Sequence, residues 1–176
     1  MKDLAKRFLP CFMNGIVVHG FQRGSKQLGC PTANLSDRVT TKLDPTFPYG
    51  VYFGYASVDN GPVYRMVLSC GTNPHFHNTK KTIEAHLLHE FPNDFYGSIL
   101  KIVVLGYLRE MASFKTIDEL KEAIRNDINS ANKALDYLEE DGAFNFKEHD
   151  FFKIIDNCEN VIYGHVSHNH TGKANN

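Results

Sequence analysis

Residues 20–34 read Gly-Phe-Gln-Arg-Gly-Ser-Lys-Gln-Leu-Gly-Cys-Pro-Thr-Ala-Asn. Glycines at positions 20, 24 and 29 permit close approach of the backbone, while Arg23 and Lys26 place positive charge on the same segment. Free backbone N–H groups in such a loop can turn toward an anion, so Gly20, Gly24, Ser25 and Lys26 form a candidate cradle for phosphate oxygens. The stretch is not a Walker A loop, because only three residues separate Gly20 from Gly24-Ser25-Lys26. Nor is it a dinucleotide fingerprint, since the glycine spacing differs and no helical pattern follows. A surface turn accounts equally well for the glycines alone.

The end of the stretch is more telling. Pro31 restricts the backbone, and Thr32 and Asn34 stand at i and i+2, so an extended chain presents both side chains on one face. A hydroxyl and an amide carbonyl are hard oxygen ligands suited to Mg²⁺, though too few to hold it alone. Mg²⁺ usually keeps waters and completes its octahedron with substrate phosphate oxygens. The competing reading is a capped turn, a common fate of Thr and Asn.

The elements that must position these residues are mostly strands. Residues 14–19 form a short β-branched run that delivers the glycine loop, and residues 35–48 read as a long polar connection. Residues 51–58 and 63–69 flank an Asn60-Gly61 tight-turn signal, with Pro62 at the head of the return strand. Residues 82–88 and 98–108 supply two further strands, the second the most apolar run of the chain. Strands joined by hairpin turns without intervening helices indicate an all-β sandwich or barrel. At Thr116-Ile-Asp-Glu119 a capping box opens a helix whose stripe is Ile117, Leu120, Ile124, Ile128, Ala131, Leu135 and Leu138, ending near Gly142. Residues 1–12 read as a leader, residues 143–164 as a short docked segment, and the polar residues 165–176 as a disordered tail.

A chain of 176 residues is sized for one domain, and its 42% hydrophobic and 22% charged content is that of an ordinary globular protein. A formal net charge of −1 argues against a dedicated nucleic-acid binder, so phosphate capture must be local, by Arg23, Lys26, Lys80 and Lys81. The four cysteines are scattered without a C-x-x-C pair, which favours reduced thiols over zinc or redox motifs. No run reaches the length of a transmembrane span or a signal-peptide core, which makes the cytoplasm the expected compartment, with organellar targeting left open and no membrane partner.

The motif Gly-Phe-x-Arg-Gly-Ser-Lys-Gln-Leu-Gly-x-Pro-Thr-Ala-Asn resembles the signature of the riboflavin kinase (flavokinase) family in its eukaryotic, monofunctional form. The resemblance continues through Gly50-Val-Tyr-Phe-Gly, Asn73-Pro, Asn78-Thr-Lys-Lys-Thr-Ile-Glu84-Ala-His, Asp94-Phe-Tyr-Gly97 and Gly106-Tyr-Leu-Arg109, covering roughly residues 13–138. It implies a six-stranded antiparallel Greek-key β-barrel over about residues 13–110, with a long C-terminal helix over about 116–140 packed against it. The whole kinase domain would span residues 13–164. It also implies the reaction: ATP and riboflavin become ADP and FMN, with Mg²⁺ or another divalent ion such as Zn²⁺ or Mn²⁺. By motif match Thr32 and Asn34 are the metal ligands, Glu84 the catalytic base, and Asn78 and Thr79 contacts to the nucleotide. Leu100 and Ile102 are expected to wall an apolar slot for the isoalloxazine ring, with Arg109 at its polar edge. A monomer is expected. His75, His77, His86 and His89 read as structural or surface histidines.

Two rival functions remain at this point. A non-enzymatic flavin-binding barrel explains the strands and slot but needs neither Thr32 and Asn34 nor a glycine lid. An oligonucleotide-binding barrel predicts aromatics interleaved with a basic groove, against which the near-neutral charge speaks.

Overall fold

The alternation of small or aliphatic residues with larger ones in the first half of the chain resolves into strands that close on themselves. The computed structural model describes residues 1–20, 31–72, 80–156 and 158–164. Strand β1 (Cys11–Val18) is followed by the short β2 (Ala33–Leu35), helix α2 (Asp37–Thr40), then β3 (Gly50–Val58), β4 (Val63–Thr72), β5 (Lys81–Leu87) and β6 (Ile99–Arg109); helix α1 (Lys2–Lys6) precedes them all. The strand order β2-β5-β4-β3-β6-β1 is completed by antiparallel pairing of β1 with β2, Val17 opposite Leu35 and Val18 opposite Asn34. Six strands therefore form a closed antiparallel barrel, which leaves these six no open sheet between them. β2 lies beside β5, across the β3-β4-β5 meander, and this return makes the Greek key.

Inside the barrel, residues at every second position interlock: Cys11, Met13 and Val17 of β1, Met66, Leu68 and Cys70 of β4, Ile83, Ala85 and Leu87 of β5, and Leu100, Ile102 and Val104 of β6. The intervening residues face outward, and on one side they carry a second apolar cluster of Phe12, Phe53, Tyr55 and Val103. Helix α3 (Ile117–Asp141) covers that cluster with Ala131 and Leu135.

Several local expectations are refined. The β3–β4 turn is centred on Asp59 and Asn60, both with positive φ (49° and 56°), rather than on Asn60-Gly61. The Gly61 N–H donates to the Val58 carbonyl at 2.8 Å, which closes a type I′ turn whose twist suits a hairpin. At the head of α3, the Glu119 N–H donates to Thr116 Oγ1 at 3.1 Å, but the Glu119 carboxylate reaches back to the Lys115 N–H at 2.9 Å, one residue upstream of the usual partner. Gly142, at φ 62°, terminates the helix in the left-handed conformation. The apolar stripe is most deeply buried in its C-terminal half; Ile117, at its start, is 63% exposed.

Residues outside the expected barrel also belong to the body. Ala5 of α1 is fully buried in the interior cluster, and β1 begins at Cys11, so residues 1–12 are not a detached leader. The supposed connection 35–48 holds α2 and buries Val39, Leu43 and Phe47. Beyond the short helix α4 (Asp150–Lys153), strand β7 (Asn160–Tyr163) pairs with Cys11–Asn14 of β1. Because β2 occupies that edge of β1 only at Val17 and Val18, β7 fills the remainder. The expected disordered tail lies outside the described residues.

Candidate active site

β2 is short for a reason visible in its sequence. Pro31 has no N–H, so the ladder with β5 cannot extend in that direction. The His86 ring takes over: its Nδ1 lies 2.8 Å from the Pro31 carbonyl and donates to it. Residues Ala33 and Asn34 then pair with Ala85 and Glu84. The two alanines face the barrel interior, which turns Asn34 and Glu84 together onto the outer face. Thr32, two residues before Asn34, follows it there, and its Oγ1 donates to Glu84 Oε2 at 3.4 Å. A hydroxyl, an amide and a carboxylate from two distant stretches thus meet on one half-buried strip of the barrel wall.

Gly20 enters from the other side. A Cβ on it would lie 2.3 Å from Asn34 Nδ2 and 2.8 Å from its Cγ, so only glycine lets the base of the glycine-rich segment press against the Asn34 amide. That contact sets Gly20 against the Thr32–Asn34 pair. Beside it, His19 stacks on Tyr96 with ring centroids 3.8 Å apart. The other candidate phosphate and nucleotide contacts, Gly24, Ser25, Lys26, Asn78 and Thr79, as well as Arg23, lie outside the described residues.

Two of the three lysines proposed for phosphate capture, Lys80 and Lys81, contact other groups of the protein. Lys81 Nζ donates to the carbonyls of Asp44, Pro45 and Phe47 at 2.9, 2.7 and 2.7 Å, and burial pulls its pKa down. It holds the 44–47 segment onto β5. Lys80 lies 3.6 Å from the Asp37 carboxylate.

The flavin expectations need correcting at two positions. Leu100 and Ile102 are fully buried and face the barrel interior, whereas Glu84 faces out. A ligand on the outer wall cannot reach across the sheet, so these residues are core packing in this structure. Alternation along β6 gave no warning, because the apolar run 99–108 is covered on both faces, by the core inside and by α3 outside.

Arg109 does stand on the same strip as Glu84. The register runs from Asn34 to Glu84, from Glu84 to Ser69, from Ser69 to Val51 and from Val51 to Arg109, one residue from each of five adjacent strands. The Arg109 guanidinium makes a paired contact with Asp127 of α3, Nε to Oδ1 and Nη2 to Oδ2, both at 2.7 Å. It also lies over the Phe114 ring, 5.7 Å from its centroid. Fork-to-carboxylate geometry of this kind is both strong and directional. Arg109 therefore anchors α3 and the 110–115 segment at one end of the strip.

Sequence reasoning passed over His86 as a tie, although its i+2 offset from Glu84 put it on the same face. It also passed over Asp127, a carboxylate inside an otherwise apolar helical stripe and nearly fully buried.

The strip joins a glycine-gated Asn, a Thr and a Glu, and comparison with known proteins points to the same chemistry. The family model described as Flavokinase: Riboflavin kinase matches residues 8–135. Riboflavin kinase from Homo sapiens is 44% identical over 159 residues, covering 90% of this chain and 99% of that one. The Mus musculus riboflavin kinase is 45% identical, over 84% of this chain and 94% of its own. Among solved structures, riboflavin kinase from Trypanosoma brucei superposes with a TM-score of 0.67 at 30% identity, covering 86% of this chain and 94% of that chain. By this breadth of match, and with the motif residues gathered on one face of the barrel, the chain belongs to the riboflavin kinase family.

Proposed function

We propose that Thr32, Asn34 and Glu84 form the catalytic centre of a kinase that passes the γ-phosphoryl of ATP to the terminal ribityl hydroxyl of riboflavin. Family membership carries the overall reaction: a kinase transferring phosphate from ATP to riboflavin's hydroxyl, giving FMN and ADP. The observation that carries the residue assignment is the meeting of Thr32 Oγ1 and Glu84 Oε2 at 3.4 Å, with Asn34 in register opposite Glu84.

Thr32 and Asn34 suit a divalent cation, with Mg²⁺ the preferred ion. Their oxygens are hard and neutral, and the absence of a Cβ at residue 20 lets the Asn34 amide pack directly against the backbone there. When bound, such an ion neutralises charge on the phosphates and leaves the ligand charge to them. Glu84 accepts the proton of the ribityl hydroxyl as its oxygen attacks the γ-phosphorus and the bond to the ADP oxygen breaks. Phosphoryl transfer asks chiefly for such positioning and charge neutralisation. The glycine-rich segment, joined to Asn34 through Gly20, closes over the phosphates and excludes water.

A passive flavin-binding barrel would have no use for this trio. No helix among the described residues is long and apolar enough to cross a membrane, and we place the enzyme in the cytoplasm as a monomer. The test is FMN formation from riboflavin, followed chromatographically, with ATP and the divalent ion each omitted in turn. Product must require both, and the double variant Thr32→Ala/Asn34→Ala must lose it at limiting Mg²⁺. Undiminished turnover by that variant would remove the pair from the metal site.

A further inference from the structure

The register row on the outer wall holds a hydroxyl that the reaction as described does not use. Ser69 stands between Glu84 and Val51, paired with each across β5 and β3. Its neighbours on β4, Leu68 and Cys70, point into the core, so Ser69 points out, on the face of Glu84. Ser69 is half-buried, and its hydroxyl has no hydrogen-bond partner among the described residues. Side chains directly opposite across an antiparallel pair have Cβ atoms only about 4.5–5.5 Å apart. The Ser69 hydroxyl is thus a near neighbour of the Glu84 carboxylate.

The order of chemistry along the row is informative. Oxygen ligands at Asn34 come first, then the carboxylate of Glu84, then the hydroxyl of Ser69, then apolar Val51, then Arg109. Three strand steps separate Glu84 from Arg109, about 14 Å at a spacing of ~4.8 Å. A substrate laid along the wall with its reacting hydroxyl at Glu84 would meet the half-buried Ser69 hydroxyl next. Riboflavin has that order at its reacting end: a terminal carbinol followed by a polyol chain. Val51, one step further, is nearly fully buried and closes the row to a ligand there.

The geometry points to Ser69 as a specificity-determining residue that hydrogen-bonds an internal hydroxyl of the ribityl chain and so sets which hydroxyl reaches Glu84. This rests on the assignment of Glu84 and the Thr32–Asn34 pair to the reacting end. A small hydroxyl suits the task, because it donates or accepts as the polyol requires. It also predicts selection by hydroxyl content: a site built around a substrate O–H discriminates against analogues that lack it.

The experiment is a cycle between protein and substrate. Wild type, Ser69→Ala and Ser69→Thr are each assayed with riboflavin and with its 2′-, 3′- and 4′-deoxy analogues, with Glu84→Gln measured in parallel. For riboflavin, Ser69→Ala should lower kcat/KM roughly five- to tenfold, the worth of one hydrogen bond, while KM for Mg-ATP and the melting temperature stay unchanged. Ser69→Thr, which keeps the hydroxyl, should restore most of the loss. With one of the deoxy analogues the Ala variant and wild type should become equal. Equal losses on riboflavin and all three analogues would make Ser69 structural and overturn the inference, as would full activity of Ser69→Ala on riboflavin. A fast Glu84→Gln enzyme that still showed the Ser69 coupling would overturn the base assignment alone.

Discussion

At the scale of single residues, Glu84→Gln is the sharpest probe. The amide keeps the shape and can still accept from Thr32, but it cannot take a proton. The expected result is a single-turnover rate of FMN formation slower by about 10²–10⁴-fold, with riboflavin affinity little altered. A rate within a few-fold of wild type would return Glu84 to an ordinary strand residue. Gly20→Ala tests the other wall of the site. Its Cβ would fall 2.3 Å from Asn34 Nδ2, so either the loop base or the Asn34 amide must shift. Activity at limiting Mg²⁺ should fall far more than the melting temperature, because Gly20 packs on Asn34 and not on the core. Equal losses would show a structural glycine.

At the scale of elements, the C-terminal half of α3 is held by two different forces. The first is burial, with Ala131 and Leu135 fully inaccessible. Leu135→Ala should cost about 2–5 kcal/mol in denaturant unfolding, whereas Ile117→Ala, at the exposed start, should stay within about 0.5 kcal/mol. The same half carries Glu139, which accepts from Tyr55 at 2.5 Å and lies 3.0 Å from Arg65 and 2.9 Å from Lys147. Burial alone would raise its pKa, but the hydrogen bonds from Tyr55, Lys147 and Arg65, with the Arg65 charge, outweigh it and set the value at about 2. A folded-state pKa below the unfolded one stabilises the protein above the ordinary carboxylate range, and the effect is lost as pH falls toward 2. The melting-temperature difference between wild type and Glu139→Gln should therefore be constant above about pH 5 and shrink as the pH drops. A difference independent of pH would mean that the charge of Glu139 contributes nothing.

At the scale of the molecule, the two ends of the chain close one seam. Tyr163 of β7 packs edge-on against Phe8 at 5.5 Å between centroids, and its hydroxyl accepts from the Asp44 N–H at 2.8 Å. The seam runs along β1, whereas the catalytic strip crosses β2, β5, β4, β3 and β6. Tyr163→Ala should accordingly lose stability on the order of 2 kcal/mol and leave kcat/KM for riboflavin near wild type. A matching loss of activity in a fully folded sample would show that seam and site are coupled.

Much of this was open to reading from the chain alone, wherever the cause is local. Thr116, Glu119 and Gly142 announce the ends of α3 because capping is settled within a few residues. The i, i+2 spacing of Thr32 and Asn34 puts them on one face whatever else the strand does, and the alternation around Glu84 marks a strand. Tertiary structure decided what depends on closure and register. Glu84 meets Thr32 only because β2 returns to lie beside β5, fifty-two residues away. Leu100 and Ile102 belong inside, and Val103 outside, for a reason the apolar run of β6 conceals: a strand covered on both faces loses the period-2 contrast that tells them apart. α1 looks like a leader in sequence, and the docked segment 143–164 does not announce that it ends in a strand, since both take their places from contact with the barrel. Lys81 reads as a phosphate ligand until three carbonyls 34 to 37 residues away fold over its amine. Local chemistry names the groups, and the register of the closed barrel determines which of them meet.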